Sequence, residues 1–300
     1  MKIVSFVRAG ESVVRTGALL ADRDEVLDFG AADLPRPAGP RDAFDLGAEL
    51  LPAAQALHAR IASAGAGGAA LRASGALVPR AGVRLVAPVP RPRKVICIGL
   101  NYRDHAAESG LPIPERPLFF SKFPTSVIGA GEPVVIPPGS EQVDYEAELA
   151  VVIGRRASRI DVAAAYDHVL GYTNFNDVSA RDFQFADGQW QRGKSCDTFA
   201  PTGEYVATKD EIPDPHALSI RLRLNGATMQ DSSTAQLVFG VPELVSFLSQ
   251  TVTLEPGDLI ATGTPPGVGF ARKPPVFVRA GDVMEVEIEG LGRLSSPVLA

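Results

Sequence analysis

The sequence predicts an α+β protein, with a strand-rich main domain and short flanking helices preceded by a small N-terminal α/β domain. Beyond residue 93, strand patterns dominate, and the few helical patterns do not alternate with them as the βαβ units of a doubly wound nucleotide-binding fold would. Before residue 93, short strand patterns precede an Ala-rich helical stretch. The clustered prolines of LVAPVPRPRK favour an extended linker between the two parts. We therefore divide the chain into residues 1–92 and 93–300.

The individual elements follow from hydrophobic periodicity. In the N-terminal part, KIVSFV, SVVRTGALL and EVLDFG predict short strands, and the stretch around residues 49–64 predicts a helix. In the main part, the continuous apolar runs KVICIGL and ELAVVIG predict buried strands. DVAAAYDHVLGY predicts a helix that is capped by Asp161 and stopped by Gly171.

Three patterns near the C-terminus complete the predicted main domain. SIRLRLNGATMQ alternates and carries Asn225-Gly226, the strongest two-residue hairpin signal. VPELVSFLSQ predicts a short helix with Pro242 in its first turn. VMEVEIEG alternates apolar and acidic residues, which predicts a half-buried strand with Glu285 and Glu287 on its exposed face.

Composition and charge exclude several classes of protein. The chain has 300 residues, of which 45% are hydrophobic and 21% charged, as in globular proteins. A net charge of −6 argues against a nucleic-acid partner, which would require a concentrated basic face. No window offers the roughly 18 uncharged apolar residues of a membrane span, and Arg8 interrupts the N-terminal apolar stretch too early for a signal peptide. We expect a cytoplasmic protein whose Cys97 and Cys196 are reduced, structural thiols.

The segment GQWQRGKS, residues 188–195, matches the phosphate-loop pattern G-x-x-x-x-G-K-[ST]. A phosphate loop needs a buried strand before the glycines and a helix that begins at the Lys-Ser end. Here the charged SARDFQFAD precedes the pattern, and Pro201 and Gly203 follow too soon for two helical turns. The context therefore argues against nucleotide binding.

A group of carboxylates predicts a metal site. In DYEAELAVVIG, Glu146 and Glu148 are two apart in a strand, so their side chains project to the same face roughly 6.6–6.8 Å apart. The segment then becomes wholly apolar, and two buried carboxylates repel each other unless a cation or a proton compensates them. Asp177, in a polar turn after a short strand, is a third candidate. Three oxygen ligands favour Mg²⁺, then Mn²⁺ or Ca²⁺, over zinc; an exposed acidic strand face is the alternative.

A possible acid–base pair follows the strand KVICIGL. In GLNYRDHAAESG, His105 and Glu108 are three apart on a predicted short helix, close enough to share a hydrogen bond. Such a bond would orient the imidazole and raise its basicity. An exposed polar helical turn is the alternative interpretation.

Taken in order, these segments resemble the fumarylacetoacetate hydrolase family over about residues 94–295. The matching blocks are GLNYRDHAAE, PLFFSKFPTSVIG, VDYEAELAVVIG, GYTNFNDVSARDFQ, GKSCDTFAPTG, LNG and LEPGDLIATGTPPGVG. The resemblance implies a mixed β-roll with flanking helices. Fumarylacetoacetate hydrolases proper place an additional carboxylate ligand near Asn101. Its absence and the small N-terminal domain point to the branch that resembles acylpyruvases and oxaloacetate decarboxylases.

The resemblance also implies roles for individual residues. The metal ligands are Glu146, Glu148 and Asp177; the catalytic residues are His105, Glu108 and Lys194; and the substrate-binding residues are Arg181, Gln184 and Thr264. Gln189 and Trp190 become candidates for lining the substrate pocket.

The activity implied by the resemblance is Mg²⁺-dependent hydrolysis of a C–C bond in a 2,4-dioxo acid through a pyruvate enolate, in a homodimer. The same enolate arises in decarboxylation of oxaloacetate and in isomerisation of a 2-oxo acid, so both stay alternatives. A non-catalytic metal-binding protein is a third, although retention of both His105 and Glu108 argues against it.

Overall fold

The computed structural model describes residues 1–20, 22–32, 34, 50–63 and 68–300. The strands in these ranges are β1 (Lys2–Arg8), β2 (Arg15–Leu20), β3 (Glu25–Asp28), β4 (Leu77–Pro79), β5 (Val83–Val86), β6 (Val95–Gly99), β7 (Leu118–Lys122), β8 (Val127–Ile128), β9 (Val134–Val135), β10 (Val143–Asp144), β11 (Ala147–Ile153), β12 (Val169–Asn176), β13 (Ser179–Ala180), β14 (Ala200–Pro201), β15 (Val206–Thr208), β16 (Ser219–Leu224), β17 (Ala227–Ser233), β18 (Leu259–Ala261), β19 (Val283–Ile288) and β20 (Gly292–Leu299). The α-helices in the same ranges are α1 (Leu50–Ser63), α2 (Gly68–Ala73), α3 (Arg103–Ser109), α4 (Arg181–Ala186), α5 (Gln191–Lys194) and α6 (Val241–Ser249).

Two mixed sheets form the centre of the protein. The larger has the strand order β4-β3-β2-β1-β15-β12-β11-β18-β6-β7, with β5 beside β1, and the smaller has the order β17-β16-β19-β20-β9. Strands β11 and β12 pack against β16, β19 and β20, so the two sheets share one apolar core. That core includes Leu149, Val151, Ile220 and Val286, all at most 1% exposed. The predicted α+β class, dominated by sheet with short helices, is confirmed.

The N-terminal strands belong to the larger sheet. Strand β1 pairs antiparallel with β15, with Lys2 opposite Ala207 and Ile3 opposite Val206. The N-terminal ammonium of Met1 also donates to Thr208 Oγ1 at 2.6 Å. The sheet therefore crosses the predicted domain division at residue 92 without interruption, and the division itself stays a prediction.

Most predicted elements are present. Asn225 and Gly226, with φ of 52° and 80°, connect β16 to β17 as the hairpin signal predicts. Helix α6 begins at Val241, with Pro242 in its first turn. Strand β19 alternates half-buried and buried residues. The predicted N-terminal helix is α1, and residues 49 and 64 of that prediction lie outside the described residues.

The prediction for DVAAAYDHVLGY is wrong in its second half. Residues Val162–His168 form a short 3-10 helix, and Asp161 precedes it without a side-chain capping bond. Gly171 does not stop this helix, because β12 already begins at Val169 and runs through Gly171. A Cβ at Gly171 would lie 1.9 Å from the carbonyl oxygen of Ala207 in β15. The glycine is thus explained by close strand packing.

None of the helices in the described ranges is long and apolar enough to cross a membrane.

Candidate active site

Three buried carboxylates meet where β11 and β12 lie side by side. The two strands pair antiparallel with Ala147 opposite Asn176, which brings Asp177, just after β12, next to Glu146, just before β11. The Asp177 N–H donates to the Glu146 carbonyl oxygen at 2.9 Å. Oxygen atoms of Glu146, Glu148 and Asp177 all lie within 4.8 Å of one another, and all three residues are buried. The structure therefore brings together the three predicted metal ligands.

Three buried cations surround two of these carboxylates. Lys194 Nζ lies 2.8 Å from Glu146 Oε2 and 2.9 Å from Asp177 Oδ2, and so bridges them. Arg181 Nη2 donates to Glu146 Oε1 at 2.6 Å. Lys122 Nζ donates to Asp177 Oδ1 at 2.5 Å. Each carboxylate oxygen keeps a second lone pair, so these bonds leave both groups able to ligate a cation.

The pKa values of Glu146 and Glu148 shift in opposite directions. Burial alone would raise the pKa of Glu146, but Lys194 and Arg181 outweigh burial and lower it to about 2. Burial, followed by the charges of Asp177 and Glu146, raises the pKa of Glu148 well above its usual range. Glu148 accepts a hydrogen bond from the Gly263 N–H at 2.8 Å. Glu148 therefore keeps its proton to higher pH than an ordinary glutamate does, whereas Glu146 stays ionised.

The net charge and the donor set fit a hard divalent cation. With all four carboxylates ionised, Glu146, Glu148, Asp177 and the neighbouring Asp144 carry four negative charges, whereas Lys122, Lys194 and Arg181 carry three positive ones. A divalent cation would turn this excess of one negative charge into an excess of one positive charge. Carboxylate oxygens are the ligands that Mg²⁺, Mn²⁺ and Ca²⁺ prefer. The residues present thus fit such a metal, whose identity is not fixed by them.

Arg181 and Gln184 lie at the start of α4, beside the carboxylates. The Arg181 guanidinium donates to Asp144 Oδ2 through Nε at 2.9 Å and to Gln184 Oε1 through Nη1 at 3.0 Å. Burial alone would lower the pKa of Arg181, but Glu146 and Asp144 outweigh it and raise the pKa. The guanidinium is therefore a fixed cation at one side of the carboxylate cluster.

His105 and Glu108 form the predicted pair on α3, with His105 Nδ1 3.1 Å from Glu108 Oε2. An ionised carboxylate can only accept, so this bond assigns the ring hydrogen to Nδ1 and leaves Nε2 as the nitrogen that can take a proton. The helix ends at Gly110, which has a φ of 64° as is usual for a C-terminal glycine.

One loop, residues 263–267, joins this pair to the carboxylates. At one end the Gly263 N–H donates to Glu148, and at the other end the Gly267 N–H donates to Glu108 Oε1 at 3.0 Å. Between them, the Thr264 hydroxyl donates to the Ala147 carbonyl oxygen at 3.0 Å. The Thr264 hydroxyl is thus bonded to the backbone of β11. Its contact with a substrate carboxylate stays a prediction.

The segment GQWQRGKS has the opposite geometry to a phosphate loop. Helix α5 ends at Lys194 instead of beginning there, and helix α4 precedes the segment where a buried strand is required. The Trp190 ring packs edge-on against Phe120, with ring centroids 5.2 Å apart. Gln189 lines a nearby cavity of about 420 Å³.

Three residues of this region were missed in the sequence. Lys122 follows an aromatic run in β7. A single lysine in such a strand does not indicate a site residue, because its contact with Asp177 cannot be seen in the sequence. Gln230 accepts from the Ala147 N–H at 2.9 Å and donates to Thr264 Oγ1 at 2.8 Å. Asp144 had a visible signal, because it directly precedes the segment that carries Glu146 and Glu148.

Comparison with known proteins identifies the family of the chain. The family model described as "Fumarylacetoacetate (FAA) hydrolase C-terminal" matches residues 94–299. The chain is 43% identical over 301 residues to the mitochondrial oxaloacetate tautomerase fahd2 of Xenopus laevis, which covers 100% of this chain and 90% of that protein. It is 49% identical over 232 residues to the mitochondrial oxaloacetate tautomerase FAHD2A of Homo sapiens, covering 77% of this chain and 74% of that one.

Solved structures give the same result. A fumarylacetoacetate hydrolase from Exiguobacterium antarcticum superimposes with a TM-score of 0.80 at 34% identity, covering 100% of this chain and 99% of that one. A 2-hydroxyhepta-2,4-diene-1,7-dioate isomerase from Mycobacterium marinum gives a TM-score of 0.76 at 32% identity, covering 100% and 98%. The chain belongs to the fumarylacetoacetate hydrolase family.

Proposed function

We propose that this protein is a divalent-metal-dependent enzyme that interconverts the keto and enol forms of a 2-oxo acid, with oxaloacetate as the first candidate. The observation that carries the proposal is the loop 263–267, which ties a buried three-carboxylate cluster to the His105–Glu108 pair. Such a site combines a cation position with a base, which are the two requirements of enolisation. The names of the Xenopus and human relatives support oxaloacetate as the substrate.

In this proposal Glu146, Glu148 and Asp177 hold Mg²⁺, with Mn²⁺ or Ca²⁺ as the other ions that suit oxygen ligands. When bound, the ion supplies Lewis-acid chemistry, because it draws electron density from the carboxylate and 2-oxo oxygens of the substrate. Lys122 and Lys194 hold the Asp177 carboxylate in place, and Lys194 and Arg181 hold that of Glu146.

His105 is the proposed base. Its Nε2 takes a proton from C3 of oxaloacetate, and the electrons of that C–H bond form the C2–C3 double bond as negative charge develops on the 2-oxo oxygen. The His105 imidazolium then gives the proton to the 2-oxo oxygen, which yields the enol and restores the neutral base, and the reverse transfers give the keto form. Glu108 keeps the ring hydrogen on Nδ1 and stabilises the imidazolium that forms.

Lys194, Arg181, Gln184 and Thr264 complete the proposed site. Lys194 and Arg181 place fixed positive charge beside the carboxylates, which favours an anionic substrate and the developing enolate in a water-poor environment. Gln184, bonded to Arg181, and Thr264, in the connecting loop, are proposed to contact the substrate carboxylates.

Hydrolysis of a C–C bond in a 2,4-dioxo acid is the second candidate function. It is favoured by the 34% identity to the Exiguobacterium fumarylacetoacetate hydrolase over nearly the whole of both chains. In that case His105 would deprotonate a water that attacks C4, and the same positive charges would stabilise the pyruvate enolate that leaves. Decarboxylation of oxaloacetate produces the same enolate with CO₂ as the leaving group.

A substrate panel distinguishes these reactions. Oxaloacetate, acylpyruvates, fumarylpyruvate and 2,4-dioxo-3-deoxy sugar acids are each assayed with Mg²⁺ and with a chelator. Tautomerisation is followed by the ultraviolet absorbance of the enol, and hydrolysis and decarboxylation by pyruvate release. We expect Mg²⁺-dependent loss of enol absorbance with oxaloacetate and little pyruvate. Fast pyruvate release from a dioxo acid would instead favour the second candidate, and no activity on any substrate would contradict both.

We further propose that the chain forms a homodimer. Strand β7 lies at one end of the larger sheet and exposes Leu118 and Phe119, which are 50% and 41% accessible, and Phe123 follows at 55%. An exposed apolar strand edge favours association with another chain. Analytical ultracentrifugation is expected to give the mass of two chains, and Phe119→Glu is expected to shift it to one.

A further inference from the structure

Tyr145 lies between Asp144 and Glu146 and has no role in the chemistry proposed above. Its side chain is fully buried, and its hydroxyl donates to the carbonyl oxygen of Gly267 at 3.2 Å. The phenolic hydroxyl of a tyrosine is protonated at neutral pH, so the group is a hydrogen-bond donor there.

The loop that carries Gly267 is fixed to the strand segment Asp144–Glu148 at successive points. The Gly263 N–H bonds to Glu148, and the Gly269 N–H bonds to Asp144 Oδ1 at 2.7 Å. The Tyr145 contact lies between these two and acts on Gly267 itself.

Gly267 is also the residue that contacts the acid–base pair. Its N–H donates to both carboxylate oxygens of Glu108, at 3.0 and 3.2 Å. Its φ is +100°, and a Cβ there would lie 2.1 Å from the Met229 carbonyl oxygen, so the loop passes through a narrow space. Arg272 Nε donates to the same Gly267 carbonyl oxygen at 3.2 Å. Two donors thus fix the carbonyl of the residue whose N–H holds Glu108.

We propose that Tyr145 is a positioning residue for the reaction: through Gly267 it fixes Glu108, and through Glu108 it fixes the orientation of the His105 ring. This inference rests on the proposed function of the pair. The segment that carries Tyr145, Glu146 and Glu148 would thereby position the proposed base, His105, as well as the cation site.

Tyr145→Phe tests the inference, because it removes the hydroxyl and keeps the ring. With oxaloacetate and Mg²⁺, kcat is expected to fall about fivefold to tenfold, the effect of losing one net hydrogen bond. KM and the Mg²⁺ dissociation constant are expected to stay within about twofold of the wild-type values, since no ligand or substrate contact changes. Tyr172→Phe, which removes the hydroxyl of another buried tyrosine in β12, is the matched control and is expected to keep the wild-type kcat.

A double-mutant cycle separates positioning from general loosening of the structure. If Tyr145 acts through Glu108, Tyr145→Phe costs less than about twofold in kcat when Glu108 is already alanine. The same reduction in both backgrounds would overturn the inference. Arg272→Met removes the second donor to the Gly267 carbonyl oxygen, together with the bonds of Arg272 to the Tyr145 hydroxyl and the Met229 carbonyl oxygen. It is expected to show the same dependence on Glu108 and provides a second test if Tyr145→Phe folds poorly.

The outcomes also separate this inference from the proposed function. If His105→Ala loses activity while Tyr145→Phe keeps the wild-type kcat, the inference is overturned and the proposed function is not. If His105→Ala turns over oxaloacetate at the wild-type rate, the proposed base is wrong and the inference falls with it.

Discussion

Lys122 and Asp177 face each other inside the protein, with Nζ 2.5 Å from Oδ1 and both side chains fully buried. The lysine also donates to the Val178 carbonyl oxygen at 2.9 Å. A buried ammonium is unfavourable unless it is paired, so this contact compensates both charges. The contact also fixes the orientation of the Asp177 carboxylate, which is the third candidate metal ligand.

Replacing Lys122 with methionine is therefore expected to destabilise the metal-free protein by about 3–5 kcal/mol, the usual cost of removing one partner of a buried pair. Added Mg²⁺ is expected to recover part of the loss, because a bound cation compensates Asp177 and stabilises the folded state by mass action. Urea denaturation with and without Mg²⁺ measures both effects. Arg293→Met, which breaks an exposed pair with Glu285, is the control and is expected to cost at most about 1 kcal/mol.

Glu148→Gln is expected to abolish Mg²⁺ binding while leaving the fold intact. Glu148 is one of the three carboxylates that would hold the cation, so the amide removes both a ligand atom and the negative charge that Glu148 contributes when it ionises on binding. Isothermal titration calorimetry measures the binding. Glu285→Gln alters an E-x-E pair on the half-buried face of β19 and is expected to bind Mg²⁺ normally. Normal Mg²⁺ uptake by Glu148→Gln would refute the ligand assignment.

The raised pKa of Glu148 predicts that cation binding releases a proton. A carboxyl with a raised pKa keeps its proton to higher pH, and a bound divalent cation requires the ionised form. Mg²⁺ affinity is therefore expected to increase with pH and to level off above that pKa. The folded state also holds this proton to higher pH than the unfolded state does. The metal-free protein is therefore expected to lose stability as pH rises through the folded-state pKa of Glu148.

Calorimetry in two buffers with different ionisation enthalpies measures the released proton. The release is expected to be largest at the acidic end of the stable range and to vanish at higher pH. A binding enthalpy that is independent of the buffer throughout that range would contradict the prediction.

His105→Ala is expected to lower kcat by about 10²–10⁴-fold, the usual contribution of a positioned acid–base group. Mg²⁺ affinity is expected to be nearly unchanged, because His105 is not among the three carboxylates that would hold the ion. His168→Ala is the control, since His168 Nδ1 contacts only the backbone oxygen of Arg155 in the described part of the chain. Turnover of His105→Ala at the control rate would exclude His105 as the base.

The sequence predicts the features that depend on local pattern. Two-residue periodicity predicted that the side chains of Glu146 and Glu148 lie on the same side, three-residue spacing paired His105 with Glu108, and Asn225-Gly226 predicted a hairpin. These three predictions were correct because the two residues of each pair are close together along the chain.

Features that depend on distant segments were not predictable. Lys122 is 55 residues from Asp177, and Tyr145 is 122 residues from Gly267, so a single sequence gives no sign that either pair meets. The misassigned Gly171 has the same origin. Its small size is required by β15, which is remote in sequence, and a glycine beside a helical pattern resembles a stop signal.

Gly171→Ala tests that explanation. The new methyl carbon would lie 1.9 Å from the Ala207 carbonyl oxygen and 2.8 Å from its carbonyl carbon, so β12 and β15 must separate. A forced methyl in a packed region typically costs about 1–3 kcal/mol of unfolding free energy. Gly82→Ala is the matched control, because a Cβ at that position would meet no heavy atom within 4 Å among the described residues outside its local backbone. Urea denaturation measures both variants. A loss of unfolding free energy in Gly171→Ala but not in Gly82→Ala would identify the β12–β15 contact as the reason for the glycine. Equal unfolding free energies of the two variants would mean that the strands tolerate the methyl group and that Gly171 needs another explanation.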